Sequence, residues 1–148
     1  MNDFTAYSAD PIYVGDLDGQ VLRFDVRADK GTSDPYPAPA LLAQLTDASS
    51  NAQPVTAAPV IEIHPVSRKR FVLVGTGQLL SSSDVNSSAQ QSFYAIIDGT
   101  AAEFNTTGST VHRSDMQALE SVSTGVNLAS DSRGWYFDLG LSSSIGWR

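Results

Sequence analysis

Short apolar runs bounded by Gly, Asp, Ser and Pro recur along the chain, whereas helical periodicity is scarce. Runs of this length and composition are typical of β-strands separated by turns. Residues 54–64 predict an extended segment, whose prolines at 54 and 59 suit an edge or a strand entry better than a central position. Residues 40–45 predict either a short strand or a helical turn. The best helical candidates, residues 39–45 and 114–122, lack a full amphipathic stripe. We interpret five further runs as strands: residues 12–14, 21–26, 71–74, 92–97 and 134–139.

The dipeptide Asp18-Gly19 is the clearest turn signal in the sequence. A tight primed turn between antiparallel strands requires positive φ, which Gly adopts without strain. Apolar residues stand on both sides of the dipeptide, with Tyr13 and Val14 before it and Leu22 after it. We therefore expect a β-hairpin closed by a tight primed turn.

The strands, about seven in all, are joined by long polar loops. Such spacing indicates an all-β fold of sandwich, barrel or propeller type, and the absence of a clean self-repeat leaves all three open. Residues 71–74 form an unbroken apolar run, which predicts a strand buried on both faces and closed at Gly75 and Gly77. The polar loops that we regard as candidate contact surfaces are residues 28–39, 81–90 and 100–111.

Composition places the chain among globular proteins of one domain. Its 148 residues are 41% hydrophobic and 17% charged, which excludes a disordered acidic tail. The net charge of −7 argues against binding to nucleic acid or to an anionic membrane through a general field. There is no cysteine, so disulfides, thiolate zinc sites and a cysteine nucleophile are excluded. No apolar run approaches the roughly 20 residues of a membrane helix.

No arrangement of residues in the sequence indicates catalysis. Gly75-Thr76-Gly77 lacks the lysine and the following helix of a phosphate-binding loop, so a turn that ends a strand is the better interpretation. His64 and His112, the two histidines, lie in separate segments, and we expect structural or surface roles for them. A G-x-S-x-G elbow is absent. The acids Glu62, Glu103 and Glu120 occupy unrelated segments, which leaves glycoside chemistry unsupported.

Six further segments stand out along the chain: YVGDLDGQVLRFD (13–25), QPVTAAP (53–59), FVLVGTGQL (71–79), QSFYAIID (91–98), RSDM (113–116) and GWYFDL (134–139). In this order they resemble motifs of the carboxy-terminal propeller of the PilY (also called PilC) family of type IV pilus tip-associated adhesins and biogenesis proteins. One such match would be weak, because DG hairpins and GTG turns are common, but six cover nearly the whole chain.

The resemblance implies that residues 1–148 are a fragment of a modified β-propeller, about two blades of an incomplete ring. It implies a non-enzymatic factor for type IV pilus biogenesis, surface attachment and twitching motility. The implied partners are pilins, pilus assembly proteins and host-cell or abiotic surfaces. The implied place is the pilus tip at the cell surface, reached through the periplasm. The motif residues expected to be structural are Gly15, Asp16, Asp18, Gly19, Gly75, Gly77, Ser114, Asp115 and Trp135.

One departure from the family concerns calcium. Relatives often carry an aspartate-rich calcium loop just before the hairpin, and calcium requires six to eight oxygen ligands. In this chain the corresponding residues 2–10 retain only Asp10 at a ligand position. Asp16 and Asp18 are weak additional candidates, because aspartates beside a turn commonly bond to their own backbone. We therefore expect no cofactor and an absent or incomplete calcium site.

Two alternatives share the hairpin motif. A quinoprotein dehydrogenase propeller would require a Trp-lined cofactor pocket, a calcium ligand set and a catalytic aspartate, none of which can be assembled from this sequence. A non-catalytic outer-membrane scaffold propeller would reuse the hairpin alone. The later GTG, QSFY and GWY motifs favour the adhesin family over both. The first ten residues lack the basic start and apolar core of a signal peptide, so we expect the targeting segment of an exported parent to lie outside this chain.

Overall fold

Two β-sheets make up the computed structural model, which describes residues 11–24, 38–99, 109–120 and 127–140. The all-β prediction is confirmed. The strands are β1 (Ile12–Gly15), β2 (Gln20–Phe24), β3 (Ala40–Gln44), β4 (Val60–Ile63), β5 (Arg70–Gly75), β6 (Ser92–Ile97), β7 (Gln117–Leu119) and β8 (Gly134–Asp138), with 3₁₀ turns at Asp84–Asn86 and Arg113–Asp115. In the described ranges no helix is long and apolar enough to cross a membrane.

Of the two alternatives for residues 40–45, the short strand is confirmed, and neither helical candidate forms an α-helix in its described residues. Residues 39–45 contain strand β3, because they pair with β2 and bury Leu42 and Ala43. Within residues 114–122, the described part is the end of a 3₁₀ turn followed by strand β7. In both places pairing with a neighbouring strand decided the conformation, which a weak local pattern cannot reveal.

The first sheet is antiparallel in the order β1-β2-β3 and begins with the expected hairpin. Its turn differs from the expected primed form, because Gly19 alone in the turn has positive φ, at 74°. The amide of Asp16 donates to the carbonyl of Gln20 at 3.1 Å, which leaves a loop of three residues. The Asp16 carboxylate shapes this loop by accepting the amides of Asp18 (3.0 Å) and Gln20 (2.8 Å).

The second sheet has the order β4-β5-β6-β8-β7 and is antiparallel except for the parallel pair β7–β8. Strand β4 lies at an edge, as its preceding prolines predicted. Strand β5 was expected to be buried on both faces, but Val72 and Val74 are buried while Phe71 and Leu73 are partly exposed. One face of this sheet therefore lies in the core, and the other is only partly covered.

The core lies between the two sheets. Burying one Val, Leu or Ile side chain contributes about 1.5–3 kcal/mol, so apolar contact supplies most of the driving force for the stacking of the two sheets. The three-stranded sheet and its following loop contribute Val21, Leu42 and Leu45, and the five-stranded sheet contributes Val72, Val74, Tyr94 and Ile96.

Residues 109–120 connect the sheets. The backbone of Val111 is bonded beside β3, where its amide donates to Leu42 (2.8 Å) and its carbonyl accepts from Gln44 (3.0 Å). Met116 is buried in the core, and the next three residues form β7 of the other sheet. This segment therefore adds backbone hydrogen bonds to both sheets.

Replacing Gly19 by Ala is expected to destabilise the fold by at least about 2 kcal/mol, since positive φ costs an L-residue roughly 1–2 kcal/mol before any clash. A Cβ at this position would also lie 2.5 Å from the carbonyl oxygen of Leu45. The matched control is Gly75→Ala, where an added Cβ meets no atom within 4 Å. Urea unfolding measures both, and equal losses for the two variants would contradict the prediction.

Candidate functional site

A buried carboxylate at the end of β6 joins the two sheets. Asp98 accepts the hydroxyl of Tyr13 at 2.6 Å and Nη1 of Arg23 at 3.0 Å, both from the three-stranded sheet. Nη1 of Arg70, from the five-stranded sheet, lies 3.5 Å from the same carboxylate. The side chains of Arg23 and Asp98 are only 3% and 2% exposed. We call these four residues the Asp98 cluster.

The β1–β2 register explains how the Asp98 cluster forms. Tyr13 and Arg23 are directly opposite each other on adjacent strands, so their side chains leave the same face of the sheet. That face meets the end of β6, where Asp98 follows the last core residues of the strand. Burying such charges requires good geometry and several hydrogen bonds. Asp98 accepts short hydrogen bonds from Tyr13 and Arg23, while Arg70 lies farther away at 3.5 Å.

A second network surrounds Arg113 in the segment that connects the sheets. Its Nη2 lies 2.6 Å from Oδ2 of Asp138, and its Nη1 donates to the Tyr94 hydroxyl at 3.3 Å. The guanidinium also lies 3.8 Å from the centroid of the Tyr136 ring, which is a cation–π contact. Burial would raise the pKa of Asp138, but hydrogen bonds from Arg113 and Ser92 hold it below its ordinary value.

Gln53 and Ser92 close this second network into a ring. The Tyr94 hydroxyl is hydrogen-bonded to Oε1 of Gln53, and Nε2 of Gln53 donates to Oγ of Ser92 at 2.9 Å. Ser92 in turn donates to Asp138 at 2.7 Å. We call the ring of Gln53, Ser92, Tyr94, Arg113 and Asp138 the Arg113 ring. Because β6 and β8 pair Ser92 with Asp138, the strand register places two of its five members side by side.

Chemically, both networks are closed. Each carboxylate is held by an arginine, and each hydroxyl is hydrogen-bonded to another member, so the arrangement favours a fixed structure over proton transfer or nucleophilic attack. His64 serves a turn, where its Nδ1 accepts the amide of Ser67 at 3.0 Å. His112 begins the second 3₁₀ turn, and its amide donates to Asp115 at 2.8 Å. The expectation of separate local roles for the histidines agrees with this geometry.

The residues that the sequence singled out are spread over the structure. Gly15 lies against Val55, where an added Cβ would be 2.2 Å from a methyl carbon. Asp16 shapes the hairpin loop together with Gly19, while Asp18 is exposed there and its carbonyl accepts from Gln44 at 2.7 Å. The hairpin residues are therefore brought together, but the other motif residues lie elsewhere.

The later motif residues serve their own elements. Asp115 caps its 3₁₀ turn, beside an exposed Ser114. Gly77 needs its glycine for a φ of 138°, whereas Gly75 ends β5 without such a need. Trp135 lies on the outer face of the five-stranded sheet, with its ring centroid 5.8 Å from that of Phe93.

Sequence reasoning missed the members of both networks. All but Arg70 lie within the six motif segments, so the motifs contained the signal. Their polar side chains were assigned to turns or left without a role, because no local pattern tells which of them point into the interface between sheets. The missed residues are Tyr13, Arg23, Arg70 and Asp98 of the first network, and Gln53, Ser92, Tyr94, Arg113 and Asp138 of the second.

The described residues do not fit a calcium site. Oδ1 of Asp16 already accepts two backbone amides, and within those ranges no group of three or more acids or histidines is placed to hold a metal. Asp10 and the rest of residues 2–10 lie outside the described residues. The loss of the calcium loop therefore stays a prediction. Calcium titration by calorimetry tests it, and heat that shows stoichiometric binding would contradict it.

Two sheets stacked through one apolar core define an all-β scaffold. The family model described as the PilY1 beta-propeller domain matches residues 2–124. The chain therefore belongs to the PilY1 β-propeller family. Membership in this family replaces both alternatives that the hairpin motif alone had raised.

Curated relatives agree with this assignment. A type IV pilus biogenesis factor PilY1 homolog of Xylella fastidiosa is 33% identical over 136 residues, which are 88% of this chain and 10% of the relative. Type IV pilus biogenesis factor PilY1 of Pseudomonas aeruginosa is 34% identical over 109 residues, 61% of this chain and 9% of the relative. The chain thus spans about a tenth of these proteins.

The fold also resembles a solved structure, the crystal structure of the Pseudomonas aeruginosa PilY1 C-terminal domain. The TM-score is 0.64 at 24% sequence identity, and the match covers 88% of this chain and 35% of that chain. This likeness supports the partial propeller: the two sheets correspond to a part of the larger domain.

Replacing Asp98 by Asn is expected to destabilise the fold by about 3–5 kcal/mol, because it leaves buried guanidinium groups without their carboxylate. The matched control is Asp18→Asn in the exposed hairpin loop, which should change stability by less than about 0.5 kcal/mol. Equilibrium unfolding in urea measures both variants. A loss below about 1 kcal/mol for Asp98→Asn would contradict a central role of the cluster.

Stability is expected to fall as the pH rises above 10. Burial, followed by the hydrogen bond to Asp98, raises the pKa of Tyr13 above its ordinary value of 10.0. The unfolded phenol therefore loses its proton at a lower pH than the folded one, so unfolding becomes easier with rising pH. Burial also raises the pKa of Tyr94, which acts in the same direction.

The test is the urea midpoint measured between about pH 8 and about pH 11. Tyr13→Phe should show a shallower decline than the parent chain, because one of the two phenols no longer titrates. Parallel declines in the two proteins would show that Tyr13 does not contribute.

Proposed function

We propose that this chain is a non-enzymatic scaffold segment of a type IV pilus biogenesis factor. The family membership and the printed names of the relatives support this role. The observation that carries the proposal is the pair of closed polar networks, built from the family's motif segments and placed between two sheets. They use the polar groups of the motifs to hold the scaffold together, as a protein that binds through loops on a rigid frame requires.

The loop that best fits a contact role is residues 78–90, which includes the predicted contact loop 81–90. The Asp84 carboxylate accepts the amides of Leu80 (2.9 Å) and Ser81 (2.8 Å) and Nε2 of Gln78 (2.9 Å). These hydrogen bonds, led by that of Gln78, lower the pKa of Asp84. A loop ordered in this way loses little entropy on binding.

This loop also presents apolar side chains to solvent. Leu79 is 73% exposed, Leu80 is 66% exposed and Val85 is 45% exposed. Because the loop is ordered by hydrogen bonds and these side chains are apolar, the loop forms a surface suited to a protein partner. The other two predicted contact loops, residues 28–39 and 100–111, lie outside the described residues except at 38–39 and 109–111.

The parent protein is proposed to act at the cell surface, at the pilus tip, after export through the periplasm. Its proposed partners are pilins and pilus assembly proteins, together with host-cell or abiotic surfaces, and its proposed roles include attachment and twitching motility. The relatives' names support pilus biogenesis, and the exposed loop supports contact with a partner.

A chimera tests this function. The matching stretch of full-length Pseudomonas aeruginosa PilY1 is replaced by this chain in a strain that lacks its own PilY1. Surface pili and twitching are expected to recover, because the scaffold of the family is retained. In the same chimera, changing Leu79, Leu80 and Val85 to Ser should reduce attachment while leaving pili in place.

The matched control is Val66→Ser, since Val66 is 86% exposed but lies in the β4–β5 turn. It should leave both pili and attachment unchanged. A chimera that is folded and exported yet produces no pili would contradict the proposed function.

A further inference from the structure

Strand β4 forms an exposed apolar edge of the five-stranded sheet. Val60 is 58% exposed, Ile61 is 41% exposed and Ile63 is 45% exposed. Among the described residues, β4 pairs only with β5. An edge strand with bare β-branched side chains and no lysine is a template for another strand.

The hydrogen-bond pattern shows which backbone groups face outward. His64 donates its amide to the carbonyl of Lys69 at 2.9 Å, which marks these two residues as a bonded pair. Bonded and non-bonded pairs alternate in an antiparallel ladder, so Glu62 is in a bonded pair with Phe71. The amides and carbonyls of Ile61 and Ile63 therefore point away from β5, toward the open edge.

Glu62 is the charged residue of β4, and in the sequence it lies between Ile61 and Ile63. It is exposed, and no ion pair or hydrogen bond joins it to any side chain in the described ranges. A residue placed opposite Glu62 on an added strand would have its Cβ about 4.5–5.5 Å away, where opposite charges attract.

We propose that β4 is a docking strand for an extended segment of another protein, with an apolar–basic–apolar sequence. The partner's backbone would bond to Ile61 and Ile63, its apolar residues would cover their side chains, and its Lys or Arg would face Glu62. The proposal goes beyond the pilus function and does not rest on it.

A second copy of this chain fits the edge poorly. In an antiparallel pair of two β4 strands, the outward amides and carbonyls of one copy must bond to those of the other. The register that makes four such hydrogen bonds places Ile61 opposite Ile63 of the second copy. That register sets Glu62 opposite Glu62 of the second copy, and like charges there are destabilising. Shifting this register by two residues places Pro59 opposite Ile63, or Pro65 opposite Ile61, and proline has no amide hydrogen to donate.

Nuclear magnetic resonance of the 148-residue chain tests the proposal. The probes are two synthetic nine-residue peptides that share polar flanks and differ in their centre, Ile-Lys-Ile or Ile-Glu-Ile. The Ile-Lys-Ile peptide is expected to slow solvent exchange of the Ile61 and Ile63 amides and to bind about tenfold more tightly than the other. Glu62→Lys should reverse the preference.

The blocking variant is Ile61→Pro, which removes an outward amide but no bond to β5, so the chain should stay folded and lose peptide binding. Absence of amide protection with either peptide at millimolar concentration would overturn the proposal. Protection of the same amides without peptide, together with a dimer by sedimentation, would overturn it in favour of a second copy.

Discussion

The contact on which the rest of the structure depends is the Asp98 carboxylate between the two sheets. Apolar packing alone allows sheets to slide or rotate over one another, since the hydrophobic effect is non-directional. Asp98 removes that freedom, because its two oxygens must meet Tyr13 and Arg23 of one sheet and Arg70 of the other. Buried pairs of this kind contribute little net stability over an apolar equivalent, so we infer that the cluster chiefly specifies how the sheets stack.

The Arg113 ring does the same for the connecting segment. Arg113 belongs to a stretch that bonds to both sheets, and its guanidinium is held by Asp138 and Tyr94 and by the ring of Tyr136. One network starts from the hairpin and the other from this segment, so polar contacts join the two sheets and their connection. Loops are carried by elements that are held together in this way.

The surface divides into ordered loops and a bare edge. The Asp84 carboxylate holds a loop that exposes Leu79 and Leu80, and β4 exposes aliphatic side chains along an edge that no second strand pairs with in the part of the chain that the structure describes. Natural proteins blunt such edges with charge and proline. Here Pro59, Pro65 and Glu62 act against pairing with a second copy of the strand.

By itself, the sequence determined the all-β class, the β1–β2 hairpin, the edge position of β4 and the family, because alternation, turn residues and contiguous motifs are local properties. Tertiary structure alone decided that residues 40–44 are a strand and that the hairpin turn has three residues. It also decided that Tyr13, Arg23 and Asp98 meet. Asp98 lies 85 residues after Tyr13 and 75 after Arg23 along the chain, so only the register of the strands and the stacking of the sheets could bring it to them.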